Sequence, residues 1–162
     1  MGTKKKELRM YSLVPYQLTG IQQGIQHGHG VVEYASKHGN TAEYKDWAKN
    51  WKTFIILNGG TTNMSRSRPG SMNKHLHALK LLGVKLAEFH EPDLGDQLTA
   101  VVFILDERIF NKEKYPNFMS WVEQTDPLRV RTEKYNYRKW VQFIGGEKNV
   151  KIRDLISKFR LA

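Results

Sequence analysis

Four polar side chains, Gln22, Gln26, His29 and Glu33, recur at a spacing that could do chemistry. On a helix they fall within about 60° of one another, so a helix here would present two amides, an imidazole and a carboxylate along one stripe. His29 and Glu33 stand one turn apart, where side chains at i and i+4 meet. An imidazole beside a carboxylate is an acid–base pair. The same stripe also reads as a hydrogen-bonded structural histidine on a solvated face.

A second candidate is the run Asn58–Ser71, NGGTTNMSRSRPGS. Gly59 and Gly60 let backbone come close to a ligand. Thr61, Thr62, Ser65, Ser67 and Ser71 offer hydroxyls, and Arg66 and Arg68 can pair bidentately with phosphate. With Asn58 they make a candidate anion loop that leads into a helix N-terminus, a favourable place for negative charge. A flexible loop is the alternative.

A third group lies in EPDLGDQLT, where Glu91, Asp93 and Thr99 fall near a strand end. Sites of α/β sheets form there. One of the two acids could orient water, and Thr99 could bond a substrate oxygen; the spacing does not choose between Glu91 and Asp93. Pro92 and Gly95 also suit a plain turn. Farther on, Arg129, Arg131, Lys134, Arg138 and Lys139 interleave with Tyr135, Tyr137 and Trp140. Such a mixture can grip phosphates while stacking bases, or can be a packed hairpin with solvated lysines.

Other chemistries are disfavoured. Cysteine is absent, which excludes disulfides, thiolate catalysis and cysteine-based zinc sites. The pairs His27/His29 and His75/His77 stand two residues apart in helix-like stretches, where side chains diverge by about 200°, so no metal site is expected. No nucleophile elbow, dinucleotide fingerprint or Walker loop occurs, and no cofactor is expected.

The chain of 162 residues carries a net charge of +10. Residues 1–10 hold four basic and one acidic residue, residues 11–106 nine and eight, and residues 107–162 thirteen and seven. A nearly neutral middle between basic ends points to nucleic acid or another polyanion, or to ends that serve only solubility. No run approaches the roughly 18 apolar residues of a membrane span, and the basic start lacks the apolar stretch of a secretory signal. The expectation is a cytoplasmic protein without a membrane partner.

These residues need a scaffold. Strands are expected at Met10–Val14, Thr53–Leu57, Val84–Phe89 and Thr99–Leu105, and helices at Leu18–Lys37, after Thr41, at Met72–Leu82 and at Val150–Leu161. In the first helix Ile21, Ile25, Gly28, Val32 and Ala35 form one stripe, expected to face a sheet, and glycines at 20, 24 and 28 suggest close approach. TFIIL suits a strand covered on both faces. The fold class is therefore α/β: a small mixed four-stranded sheet with helices on its faces. Residues 1–9 form a basic tail, 10–106 the α/β domain, and 107–162 a basic, aromatic extension packed on the core.

The run Ile21-Gln22-Gln23-Gly24-Ile25-Gln26-His27-Gly28-His29-Gly30 resembles the G-K-x-x-A-Q-x-x-H-A motif of the class II (archaeal-type) peptidyl-tRNA hydrolases. Gln26 and His29 keep the family's spacing. A tryptophan-bearing helix, LLGVK before a strand and a threonine-initiated strand at Thr99 follow in the family's order, over residues 10–106. The resemblance implies that fold, a tRNA ligand and a homodimer. The family's catalytic lysine falls at Gln22, so the cation is missing there, and the segment before Thr99 is short. The expectation is a protein of this fold that binds RNA (tRNA) or a nucleotide through phosphates, with hydrolysis weak or lost. The alternatives are an active peptidyl-tRNA ester hydrolase, and a factor sequestering a nucleotide signal or a protein, as in viral counter-defence.

Overall fold

A computed structural model describes residues 4–63 and 67–162. The chain divides into two compact units, one reaching Leu105 and including Phe159–Ala162, the other Asp106–Lys158.

The first unit is built on strands β1 (Leu8–Pro15), β2 (Thr53–Gly60), β3 (Leu86–Glu91) and β4 (Gln97–Asp106), in the order β2-β1-β4-β3. β1 and β2 are parallel, with Met10 opposite Phe54 and Leu13 opposite Leu57. β3 and β4 are antiparallel, from Leu86 opposite Phe103 to Glu91 opposite Gln97. The sheet is thus mixed and four-stranded. Its central strands, β1 and β4, are buried almost throughout.

Side-chain alternation sets the layers. On one face Leu8, Met10, Val102, Ile104 and Ala87 pack with Tyr34 of helix α1 (Gly20–His38) and Trp47. On the other, helix α3 (Ser71–Leu81) brings buried Met72 against Gly59 and Leu13. Between α1 and β2 lie the short helix α2 (Ala42–Asp46) and a π turn, Trp47–Trp51. Thr19 closes a capping box at the start of α1 and Thr41 caps α2.

Four expectations change. The stripe Ile21, Ile25, Val32 faces outward, and α1 instead buries Gln26, Gly30 and Tyr34. Helical wheels give relative directions only, and the sheet here accepts an amide because β3 and β4 supply its partners. The close approach falls at Gly30, where an added Cβ would lie 2.5 Å from Val102 Cγ2 and 2.9 Å from the Ala100 Cβ; at Gly20, Gly24 and Gly28 it would meet nothing within 4 Å. β2 is an edge strand only partly covered, with Phe54 exposed. Its outer edge takes the end of the chain: Asn58 N donates to Arg160 O at 2.8 Å, and Ala162 N to Ile56 O at 3.0 Å. The last helix accordingly ends at Ile156, short of Leu161.

The second unit contains α4 (Glu107–Phe110), α5 (Phe118–Thr125), α6 (Glu133–Phe143) and α7 (Glu147–Ile156). Trp140, Val141 and Ile144 form its core against Tyr115, Phe118, Trp121 and Val150. Arg153, 4% exposed, ties it together by donating to the carbonyls of Arg108 (2.7 Å) and Tyr115 (2.9 Å) and to Asn117 Oδ1 (2.9 Å). Much of the aromatic content of this segment is therefore packing. No described helix is long and apolar enough to cross a membrane.

Candidate functional site

The geometry of a helix sends His27 and His29 to different strands. His27 Nδ1 lies 2.6 Å from the buried Ser12 hydroxyl of β1, with the ring against Phe54, and burial holds its pKa below the ordinary value. His29 reaches the end of β3, where its Nδ1 is 3.6 Å from Glu91 Oε2 and its ring lies 4.5 Å from that of Phe89.

Around this contact the structure assembles a small polar network. Gln26 Nε2 donates to Glu91 Oε2 at 2.6 Å, and the buried Thr99 hydroxyl donates to Gln26 Oε1 at 2.5 Å. Glu91 Oε1 accepts from the Asp93 backbone N–H at 3.4 Å. The three elements α1, β3 and β4 thus meet at one amide. The network fixes Glu91 while leaving His29 near half exposed.

This geometry separates residues that spacing could not. The carboxylate beside His29 is that of Glu91, whereas Glu33 sits half-buried one turn along α1. Asp93 is exposed in the 3-10 turn Pro92–Leu94, where its backbone rather than its carboxylate serves Glu91. Thr99 is 1% exposed and orients Gln26. Gln22 spends its side-chain oxygen on the Thr19 backbone N–H in the capping box.

A cavity of about 890 Å³ opens at the same end of the sheet. It is lined by Tyr16 and Gln17 after β1, Thr61 and Thr62 after β2, Ser67, Arg68, Pro69 and Gly70 before α3, and Gln97 at the start of β4. Arg68 is the one charged residue among them, and no carboxylate among the described residues lines the space. Gly70, which also lines the space, is the N-cap of α3 and supplies no side-chain cap; in the first turn Met72 N donates to Thr61 O at 2.9 Å.

The remaining residues of the Asn58–Ser71 run build the turn. Asn58 Oδ1 accepts from Gly60 N at 2.8 Å; Ser71 Oγ accepts from Thr61 N at 2.9 Å and donates to Gly59 O at 3.0 Å. Gly60 has φ +89°, and a Cβ there would collide with Ser71 Oγ, so glycine is required. Gly59 gives way to Met72 of α3. Ser65 and Arg66 lie outside the described residues.

In the second unit Arg129, Arg131, Lys134, Arg138 and Lys139 are all exposed. The Arg131 guanidinium and the Lys139 ammonium each stand 5.6 Å from the Tyr135 ring centre. Arg129 has φ +53° in a loop held by Asp126, whose carboxylate accepts from Val130 N, Arg131 N and Asn136 Nδ2 at 3.0, 3.0 and 2.9 Å.

Sequence reasoning missed Tyr16, Gln17 and Gln97 as cavity residues, since only the strand order brings these loops together. Compared with the models of known families and with curated proteins, the chain matches none.

Proposed function

We propose that the protein binds a phosphate-bearing ligand, RNA such as tRNA or a nucleotide, in the cavity at the end of its sheet. The observation that carries this is the lining by the described residues: one arginine, several hydroxyls and amides, a helix N-terminus without a side-chain cap, and no carboxylate. Such surroundings favour an anion. The exposed cations around Tyr135 supply a second phosphate-binding, base-stacking surface on the other unit. The strand order and the Gln26–His29 helix are compatible with a peptidyl-tRNA hydrolase II-like fold, and the reading places the protein in the cytoplasm.

A second reading follows from the His29–Glu91 contact. A half-exposed imidazole backed by a fixed carboxylate can take a proton from water, so ester hydrolysis on a tRNA end is its natural chemistry. The missing lysine at Gln22, itself engaged in the cap, weighs toward binding alone.

The test is to mix the protein with peptidyl-tRNA and with free tRNA and to follow retention and deacylation at low and high salt. Binding alone gives retention that falls steeply with salt, without deacylation. Deacylation abolished by His29→Ala establishes the second reading. Absence of both at low salt overturns the tRNA ligand and leaves a free nucleotide to be tested by calorimetry.

A further inference from the structure

The second unit holds a cavity of its own. It measures about 580 Å³, within the range of small-molecule sites. Its described lining runs from Lys112 to Ser157, so the site is built from this unit's residues. Part of the lining is apolar. The rings of Phe118 and Trp140 stand 5.6 Å apart between centres, and both residues line the space. The Trp140 indole N–H is spent on Pro116 O at 3.0 Å, so this residue offers the cavity carbon only. Met119, 55% exposed, adds an adaptable thioether.

The polar part of the lining carries more positive charge than the protein neutralises. Arg153 is buried, yet its hydrogen bonds all go to neutral oxygens, the carbonyls of Arg108 and Tyr115 and the side chain of Asn117. These occupy three of the five guanidinium hydrogens. The Nε–H and the second Nη1–H have no acceptor among the described residues. No carboxylate stands within ion-pair distance of this group, although a buried charge is ordinarily paired. Lys112 lines the same space, and its ammonium has neither hydrogen bond nor ion pair among the described residues. Partial desolvation and the nearby Arg153 hold its pKa below the ordinary lysine value, with Asp154 acting the other way. Asp154 is the one carboxylate of the described lining, and it is exposed. Two cations against one carboxylate leave an excess of positive charge.

We propose that this cavity binds a small organic carboxylate with an aromatic or aliphatic body. The carboxylate neutralises the excess charge and accepts from the Lys112 ammonium and the unspent Arg153 donors, bonds that charge strengthens. The body packs on Phe118, Met119 and Trp140, which removes its apolar surface from water. Asp154 limits the ligand to a single charge, because a phosphate monoester carries nearly two at neutral pH and would set the second against it. The site is separate in residues and in ligand from the phosphate-binding cavity of the first unit, so either can fail alone.

Titrating the nitrogen-15-labelled full chain with phenylacetate and with hexanoate tests this, read by amide chemical shifts and by calorimetry. At least one of the two binds saturably with a Kd of about 1 mM or tighter and moves the amides of Met119, Ser120 and Ser157. Phenylacetamide and benzylammonium, which lack the anion, bind at least about tenfold more weakly than that acid, and phenyl phosphate is weaker too. Lys112→Met keeps the aliphatic stem at an exposed position, leaves melting unaltered and weakens binding by about tenfold or more. Lys112→Arg restores it to within a few-fold. Asp154→Asn tightens binding and narrows the preference over phenyl phosphate. The proposal is overturned if neither acid binds saturably at millimolar concentration, if phenylacetamide binds as well, or if Lys112→Met behaves like wild type. Phenyl phosphate binding as tightly as the acid, or Asp154→Asn weakening the acid, overturns the choice of a singly charged carboxylate.

Discussion

Gln26 Nε2 donates to Glu91 Oε2 across 2.6 Å, joining the middle of α1 to the end of β3. Gln26 is 7% exposed and its other amide atom is occupied by the buried Thr99 hydroxyl, so the carboxamide cannot rotate without leaving a buried group unsatisfied. That constraint holds Glu91 beside His29.

Replacing Gln26 by leucine keeps an apolar volume but strands the Thr99 hydroxyl and the inner oxygen of Glu91. The expected loss is about 1–3 kcal/mol, read from urea unfolding. Adding Thr99→Val removes the orphaned hydroxyl, so the double variant loses less than the sum of the single losses.

Gly60 sits at φ +89° with Ser71 Oγ where a Cβ would go. Gly60→Ala forces the left-handed strain on alanine and displaces Ser71 from Thr61 N and Gly59 O. About 1–3 kcal/mol of stability is lost, and the cavity loses its shape. Ser71→Ala relieves the collision but not the strain, so the pair of variants separates the two costs.

Among the described residues Arg68 is the one cation that lines the cavity. In Arg68→Ala, tRNA affinity falls and the slope of log K against log salt becomes shallower by about 1, as measured by filter retention over a salt series. An unchanged slope places the phosphate contacts elsewhere.

His27 is held neutral by burial against β1, with a folded pKa below that of the unfolded chain. Between those two values the unfolded chain binds the proton and the folded chain does not, so stability rises with pH there. Acidifying from pH 7 through about 6.5, the ordinary histidine value, therefore destabilises the protein. His27→Asn removes that part of the dependence, which shows as a smaller change in urea midpoint between pH 7.5 and pH 5.5.

Asp126 has its pKa lowered by the Asn136 side chain and by the backbone N–H groups of Arg131 and Val130. Its stabilising contribution is present above the ordinary aspartate range and is lost as pH falls through the folded value. Asp126→Ala frees the amides of Val130 and Arg131, whose hydrogen exchange quickens by on the order of tenfold while that of the β1 amides does not.

Much of this molecule is determined locally. Apolar runs and glycine or proline boundaries place all four strands within a few residues, and Thr19 and Thr41 start their helices because their hydroxyls meet nearby backbone N–H groups. Net charge and its concentration at the ends are fixed by composition. What the sequence could not decide is direction and partnership across the sheet. Periodicity finds the stripe Ile21–Ala35 but not the side it faces, since a wheel carries no reference to the neighbour. Only the β1-β4-β3 neighbourhood, with Glu91 and Thr99 waiting at its end, turns Gln26 inward and the aliphatic stripe outward. The choice of Glu91 over Glu33 or Asp93 for His29 is likewise a matter of hairpin register. Gln97 enters the cavity because strand order brings the start of β4 to the loops after β1 and β2. These pairings join residues up to 73 positions apart, beyond the reach of any helical or strand period.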